Sequence, residues 1–213
     1  MVGGEWGRKD GFPGADGSNL SATMPIYGPD GNTLIEGSTG VGMVNISESG
    51  VLNENTSQIY MIKHPLTVIY NSTSSKDWYT NSSTYQNNTL WGDEDIKRAY
   101  DPCPYGWRVP TDASRTFGDF SITTFLYYIQ GNQTSLGNSN VTNGRLYNQI
   151  SWFPAAGYRN NHGGVLGNVG YNGCYWTASI SSSYAKYLSF NMSTSNSTAY
   201  SRASSFPVRC VQE

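Results

Sequence analysis

Between Phe120 and Gln212 the chain carries no aspartate and no glutamate. The charged groups in that stretch are Arg145, Arg159, Lys186, Arg202 and Arg209, and apart from Glu213 every acid precedes it. The C-terminal half therefore lacks the carboxylates that general acid–base catalysis draws on and those that bind calcium. Charge of either sign is scarce throughout, at 13% of the 213 residues with a net charge of −2, against about 25% in an average domain. Five bases spread over the stretch are too thin for a phosphate-binding footprint, so nucleic acid is not an expected partner. Histidine occurs only at His64 and His162, neither beside a recognisable nucleophile motif. Cysteine occurs only at Cys103, Cys174 and Cys210. No C-x-x-C pair is present, so no metal site and no cofactor are expected; an odd count allows one bridge and one free thiol. The carboxylates of Trp91–Asp95 (WGDED) read as a solvated acidic loop. No apolar run is long enough to span a bilayer, so direct membrane insertion is not expected. The N-terminus, MVGGEWGRKDGFPG, does not read as a signal peptide.

What the chain does have is rings. Aromatic residues make up 14% while all hydrophobic residues reach only 37%. The expected core is built from a few large side chains, with Asn, Ser, Thr and Gly supplying solubility. A chain of this size buries roughly 70% of its unfolded surface, and residues 1–213 read as one domain. Residues 1–40 are turn-rich, with GRKDGFPGADG and YGPDGN as successive turns. Short apolar stretches follow at Val41–Ile46 and Ile59–Ile62, and a strand is predicted at Leu66–Tyr70. Prolines 102, 104 and 110 rule out a helix through TLWGDEDIKRAYDPCPYGWRVPTDA. The apolar set Phe117, Phe120, Ile122, Phe125, Leu126 and Ile129 predicts one helix between 112 and 130, capped by Thr111 or Asp112. Beyond it, Leu188, Phe190 and Met192 alternate with Tyr187, Ser189 and Asn191, the period of a half-buried strand. The expected class is α+β, loop-rich, with short antiparallel strands and one or two helices.

Six phrases occur in a telling order: WGRKDGFPG, YDPCPYGWRVPT, WFPAAGYRN, YWTAS, AKYLSF and FPVRCV. Together they resemble the bacterial "major paralogous domain" family of Bacteroidetes and Fibrobacter, from about Trp6 to Val211. The resemblance implies a C-type-lectin-like fold, in which the first and last strands meet and long loops form one binding face. That scaffold is shared with formylglycine-generating enzymes and with the variable proteins of diversity-generating retroelements. It further implies a disulfide between Cys103 and Cys210, which lie in the two most family-like phrases. Trp107, Trp152 and Trp176 are expected in the core, with Phe190 and Val208 as further frame. Ser205 departs from the pattern, standing where glycine is expected before Phe206.

Residues 158–201 hold nine Ser, six Asn, six Tyr and five Gly, and no acid. Tyrosine offers large contact area at low entropic cost, and Ser, Gly and Asn adapt their hydrogen bonds, as in antibody loops. Residues 159–205 are thus the candidate variable, ligand-binding region. Its first group is Arg159, Asn160, Asn161, His162, Asn168, Tyr171, Asn172 and Cys174. The second is Ser179, Ser181, Ser182, Ser183 and Tyr184; the third is Asn191, Ser193, Ser195, Asn196, Tyr200, Ser201 and Ser204. Tyr171, Tyr184 and Tyr200 are the expected anchors. Retroelement mutagenesis of Asn codons yields Asn, Ser, Tyr, Gly, Thr, His, Cys, Arg and Ala. Cys174 fits that set, while Trp176, Lys186 and Met192 fall outside it and read as fixed frame.

The expected function is a non-enzymatic ligand-binding display module, an adhesin or receptor-binding protein, with diversification by a retroelement implied by the resemblance. Its partner would be a protein or glycan on a cell surface, and its place extracellular, on the bacterial surface or on a phage particle. The alternatives are a structural pilus or surface-layer subunit and, less favoured, a formylglycine-generating enzyme, which needs a cysteine pair.

Overall fold

The computed structural model describes residues 2–14, 26–36, 40–92, 96–111, 125–128 and 143–213. In chain order the elements begin with β1 (Val2–Glu5), β2 (Phe12–Pro13), β3 (Gly42–Asn45), α1 (Gln58–Lys63) and β4 (Thr67–Tyr70). The middle supplies β5 (Trp107–Arg108), β6 (Phe125–Tyr128), β7 (Gly144–Tyr147) and β8 (Ser151–Pro154). Then come β9 (Tyr158–Arg159), β10 (Leu166–Gly167), β11 (Gly173–Ser181), β12 (Tyr184–Phe190), β13 (Ser195–Tyr200), β14 (Ser205–Pro207) and β15 (Val211–Gln212). Strands dominate, and α1 is the one α-helix among the described residues.

The ends of the chain meet in one sheet, ordered β10-β9-β14-β1-β2. Gly3 lies opposite Pro207, Gly4 opposite Phe206 and Glu5 opposite Ser205. Glycine is needed at position 4, because a Cβ there would come within 2.7 Å of the Asp10 carbonyl oxygen. A second sheet, β11-β12-β13, is a pair of antiparallel hairpins. Beside them lie the antiparallel sheet β6-β7-β8 and two ribbons, β5-β15 and β3-β4. The β3-β4 pair is parallel and its strands are connected through α1; among the described strands the other pairs are antiparallel.

The core is ring-built, as the composition requires. Trp6, Trp78, Trp91 and Trp176 are all buried, and each indole N–H donates to a backbone carbonyl. Trp6 donates to Thr177 (2.9 Å) and Trp176 to Gly4 (2.9 Å). Trp78 donates to Trp6 (2.6 Å) and Trp91 to Arg8 (3.2 Å). A buried indole left unpaired would cost about 1–3 kcal/mol; here Trp6 and Trp176 stitch the N-terminal segment to β11, and Trp78 and Trp91 tie the middle of the chain to the same segment. A smaller cluster, with Phe153, Ala155, Tyr175, Leu188 and Phe190, fills the other side of that sheet.

Buried charges complete the frame. Arg8, fully buried, bonds Glu5 (2.7 Å), Asp10 (2.9 Å) and the Thr67 carbonyl (2.7 Å). Burial pushes the Glu5 carboxyl upward, against the pull of Arg8 and the Ile69 amide. Asp101 organises the phrase YDPCPYGWRVPT by accepting from the Cys103 amide (2.8 Å), the Val109 amide (3.0 Å) and Lys97 (2.9 Å). The phrase is thereby shaped for its closure, the Cys103–Cys210 disulfide.

Several expectations are corrected. The helix predicted between 112 and 130 gives way to β6 at residues 125–128, where pairing with β7 overrides the mixed apolar spacing; residues 112–124 and 129–130 lie outside the described residues, as does 93–95 of the acidic loop. Trp107 is 43% exposed rather than core, because β5 belongs to a two-stranded ribbon with β15. Trp152 is half-buried. Met192 lies beyond the end of β12 and is exposed, so the strand alternation stops at Phe190. The strand expected at Leu66–Tyr70 is present as β4, and Ser205 begins β14.

Candidate functional site

The three expected anchors do not converge. Tyr171 precedes β11, and Tyr184 lies opposite Ser181 at its far end. A strand advances about 3.3 Å per residue, which separates the two by about 25 Å. Only Tyr200 enters an aromatic group. Its ring lies 6.0 Å from Tyr158, 6.2 Å from Tyr187 and 5.8 Å from Phe206. Phe206 in turn stacks on Trp176 at 4.1 Å.

Strand register explains the grouping. Cross-strand partners share a face, so Trp176, Tyr187 and Thr198 lie on one side of the sheet. Two residues along in either direction, Cys174, Ser189 and Asn196 share that side, as do Ala185 and Tyr200. Tyr158 reaches the same group from β9. The outcome is a patch in which half-buried Tyr158, Tyr187 and Tyr200 stand over buried Phe206 and Trp176, with exposed Asn196 and Thr198 alongside. The Tyr158 and Tyr200 rings meet edge to face, and Ser189 lies beside Tyr187 on the same side of β12. Burial raises the Tyr158 phenol and pushes Tyr187 up to about 12, so both stay neutral at physiological pH. None of the sheet residues on this face is charged. Tyr158 and Tyr187 were outside the candidate set; their adjacency depends on register between strands, which sequence spacing does not carry.

Many of the candidate residues serve the frame instead. Arg159, Asn161, Cys174, Ser179, Ser201 and Ser204 are buried, which corrects their expected place on a binding surface. Arg159 donates to the Gly164 and Pro13 carbonyls. Asn161 donates to the Asn71 carbonyl (3.1 Å), Ser201 to Lys76 (2.8 Å) and Ser179 to Thr111. Asn160 spends its amide oxygen on the His162 and Gly163 amides, and Asn191 spends its own on Ser193 and Thr194, so each closes its own turn. Arg145 grips the same β12–β13 turn through the Asn191 carbonyl at 2.7 Å. The β11–β12 tip is held from behind by Arg202 on the Ser182 carbonyl (3.0 Å) and Gln86 on Ser183 (3.2 Å). Asn168 and Ser182 adopt left-handed backbone, with φ of 56° at each.

What remains outward is narrower. His162, Ser181, Ser182, Tyr184, Ser193 and Asn196 are exposed, and Asn160, Asn168, Tyr171, Asn172, Ser183, Asn191, Ser195 and Tyr200 are half-buried. They fall in three places: the 160–172 loops, the β11–β12 tip, and the β12–β13 hairpin with β13. Among the described residues no three His, Cys, Asp or Glu side chains come together as a metal set. No helix there is long and apolar enough to cross a membrane. No family model, no curated protein and no solved structure matches the chain.

Proposed function

We propose that the chain is a ligand-display module on a C-type-lectin-like scaffold, of the major paralogous domain type, acting at a cell or phage surface without catalysis. The observation that carries this reading is the uncharged tyrosine patch on the β11-β12-β13 sheet. Its rings are backed by Trp176 and Phe206, and its rim residues Asn196 and Thr198 are exposed. Tyrosines held in this way lose little entropy on binding, and the short polar rim adapts its hydrogen bonds. Pairing of β1 with β14 supports the fold reading, since that scaffold joins the ends of its chain. The ligand class proposed is a protein or glycan on a cell surface.

Diversification by a retroelement is part of the proposal, restricted to outward positions. Sequencing the gene across one natural population tests it. Variation is expected at His162, Ser181, Ser182, Tyr184, Ser193 and Asn196, with Trp176, Leu188, Phe190, Ser201 and Arg209 constant. Variation spread evenly, or confined elsewhere, overturns it. One observation favours a second reading, a structural surface subunit. β13 is the outer strand of its sheet, and its sequence SNSTAY carries none of the Lys, Pro or bulge devices that discourage edge pairing. Light scattering that grows with concentration, and stops on Ser197→Pro, would favour that reading; scattering that stays monomeric favours the binder.

A further inference from the structure

Arg159 is a cation 5% exposed, in a half of the chain that contains no acid before Glu213. It makes no ion pair with any described carboxylate. NH1 and NH2 donate to the Gly164 and Pro13 carbonyls at 3.0 and 3.2 Å, while Nε, buried, has no partner among the described residues. Its register partner across β9 and β14 is Ser205, also buried, whose hydroxyl likewise has none. Both residues line one small pocket, open on one side, together with Phe12, Pro13, Gly157 and Tyr158. Burying a guanidinium without a compensating charge is costly, and desolvation holds Arg159 below its ordinary value, at about 10. Even so it remains a full cation at neutral pH. Glu5, the acid nearest in register, does not help, because Arg8 and the Ile69 amide already hold it.

We infer that this cavity is a binding site for a single small monovalent anion of the halide class, held by Arg159 and Ser205. The donors set the class. The two terminal nitrogens are spent on the Gly164 and Pro13 carbonyls, so only Nε and the Ser205 hydroxyl remain, two single donors without the open guanidinium fork that carboxylate and phosphate groups take. The charge then favours an anion over water, because the site offers a cation and a hydroxyl donor and no competing carboxylate among the described residues. Tyr158 forms one wall of the cavity and one ring of the tyrosine patch. Occupancy therefore steadies the patch from behind, although the anion site stands independently of what the patch binds.

Thermal unfolding of the whole chain in sodium chloride against sodium gluconate, at matched ionic strength, tests this. Gluconate is too large to enter. The Tm is expected to rise with chloride in a saturable way, by about 3 °C at ten times the dissociation constant, and to stay flat in gluconate. Ser205→Ala should weaken the chloride response and Arg159→Gln should abolish it. Should Arg159→Gln not fold, bromide in crystals of the unaltered protein decides through its anomalous signal at the Arg159–Ser205 cavity. Equal Tm in both salts, a chloride response unchanged in Ser205→Ala, or water at that position in bromide overturns the inference.

Discussion

Cys174 lies 3% exposed on the inner side of β11, and burial pushes its thiol up to about 12. Thiolate is the reactive form, so the folded protein withholds it. The expected result with a thiol-specific chromophore is no reaction in the native oxidised protein and one thiol per chain once unfolded, the other two cysteines being bridged. A native titre of one or more would place Cys174 at the surface and revive a thiol-based chemistry. Asp77 presents a second single-residue question. It is 1% exposed, accepts from the Tyr79 amide (2.9 Å), and has Arg202 only at 3.6 Å. Burial, partly offset by Arg202, raises its carboxyl from 3.8 to about 6. A folded-state value above the unfolded one means a contribution fully present below about pH 4 and lost as pH rises through 6. Asp77→Asn, which keeps a neutral side chain at every pH, should therefore gain on the parent protein between pH 4 and pH 7, by about 3 kcal/mol. Urea unfolding at the two pH values reads this; a gap that stays constant or moves the other way would show that the Arg202 pairing dominates instead.

At the scale of elements, the first β11 position is the tightest. An added Cβ at Gly173 would run into the Phe190 ring across the β11–β12 pair. Phe190 is itself pinned between Tyr175, stacked at 6.1 Å, and the Arg145 guanidinium at 6.0 Å. Gly173→Ala should thus cost about 1–3 kcal/mol by overpacking, and Phe190→Leu in the same chain should recover part of it. Full additivity of the two changes in chemical unfolding would mean that the ring is not what resists the methyl group. Elements were unevenly legible in the sequence. The alternation through Leu188 and Phe190 placed β12, and the apolar run before Tyr70 placed β4. The apolar set around Phe125 did not place β6, because a mixed spacing leaves helix and strand equally open until a partner strand decides. In the candidate site the gap was of another kind. Residue type identified Asn160, Asn191 and Ser201 as polar and adaptable, yet each spends its side chain on nearby or distant backbone. Nor does spacing show that β11 slips register between Trp176 and Ile180, and register decides which rings share a face.

Across the whole molecule, the strongest constraint joins residues at opposite ends of the chain. The Trp6 indole donates to Thr177, and the Trp176 indole donates back to Gly4. Two bonds between the same two segments, each spanning more than 170 residues of sequence, form together or not at all. The disulfide closes a further long loop, between Cys103 and Cys210, and a loop of that length is worth about 4–5 kcal/mol in the chain-entropy account. β1 should therefore not fray as a terminal strand ordinarily does. It should open with β11 and β14 as one unit. Native-state hydrogen exchange checks this: the amides of Gly4 and Trp6 are expected to match the protection of Trp176 and Ala178 within about 1 kcal/mol. A double-mutant cycle between Trp6→Phe and Trp176→Phe, which removes both indole donors and keeps the rings, should show coupling of about 0.5–3 kcal/mol. Early exchange at Gly4 and Trp6, together with an additive cycle, would mean that the C-terminal sheet holds its tyrosine patch without the N-terminal strand. With coupling present, deleting β1 should loosen the patch itself, because Gly4 anchors Trp176, Trp176 supports Phe206, and Phe206 carries Tyr158, Tyr187 and Tyr200.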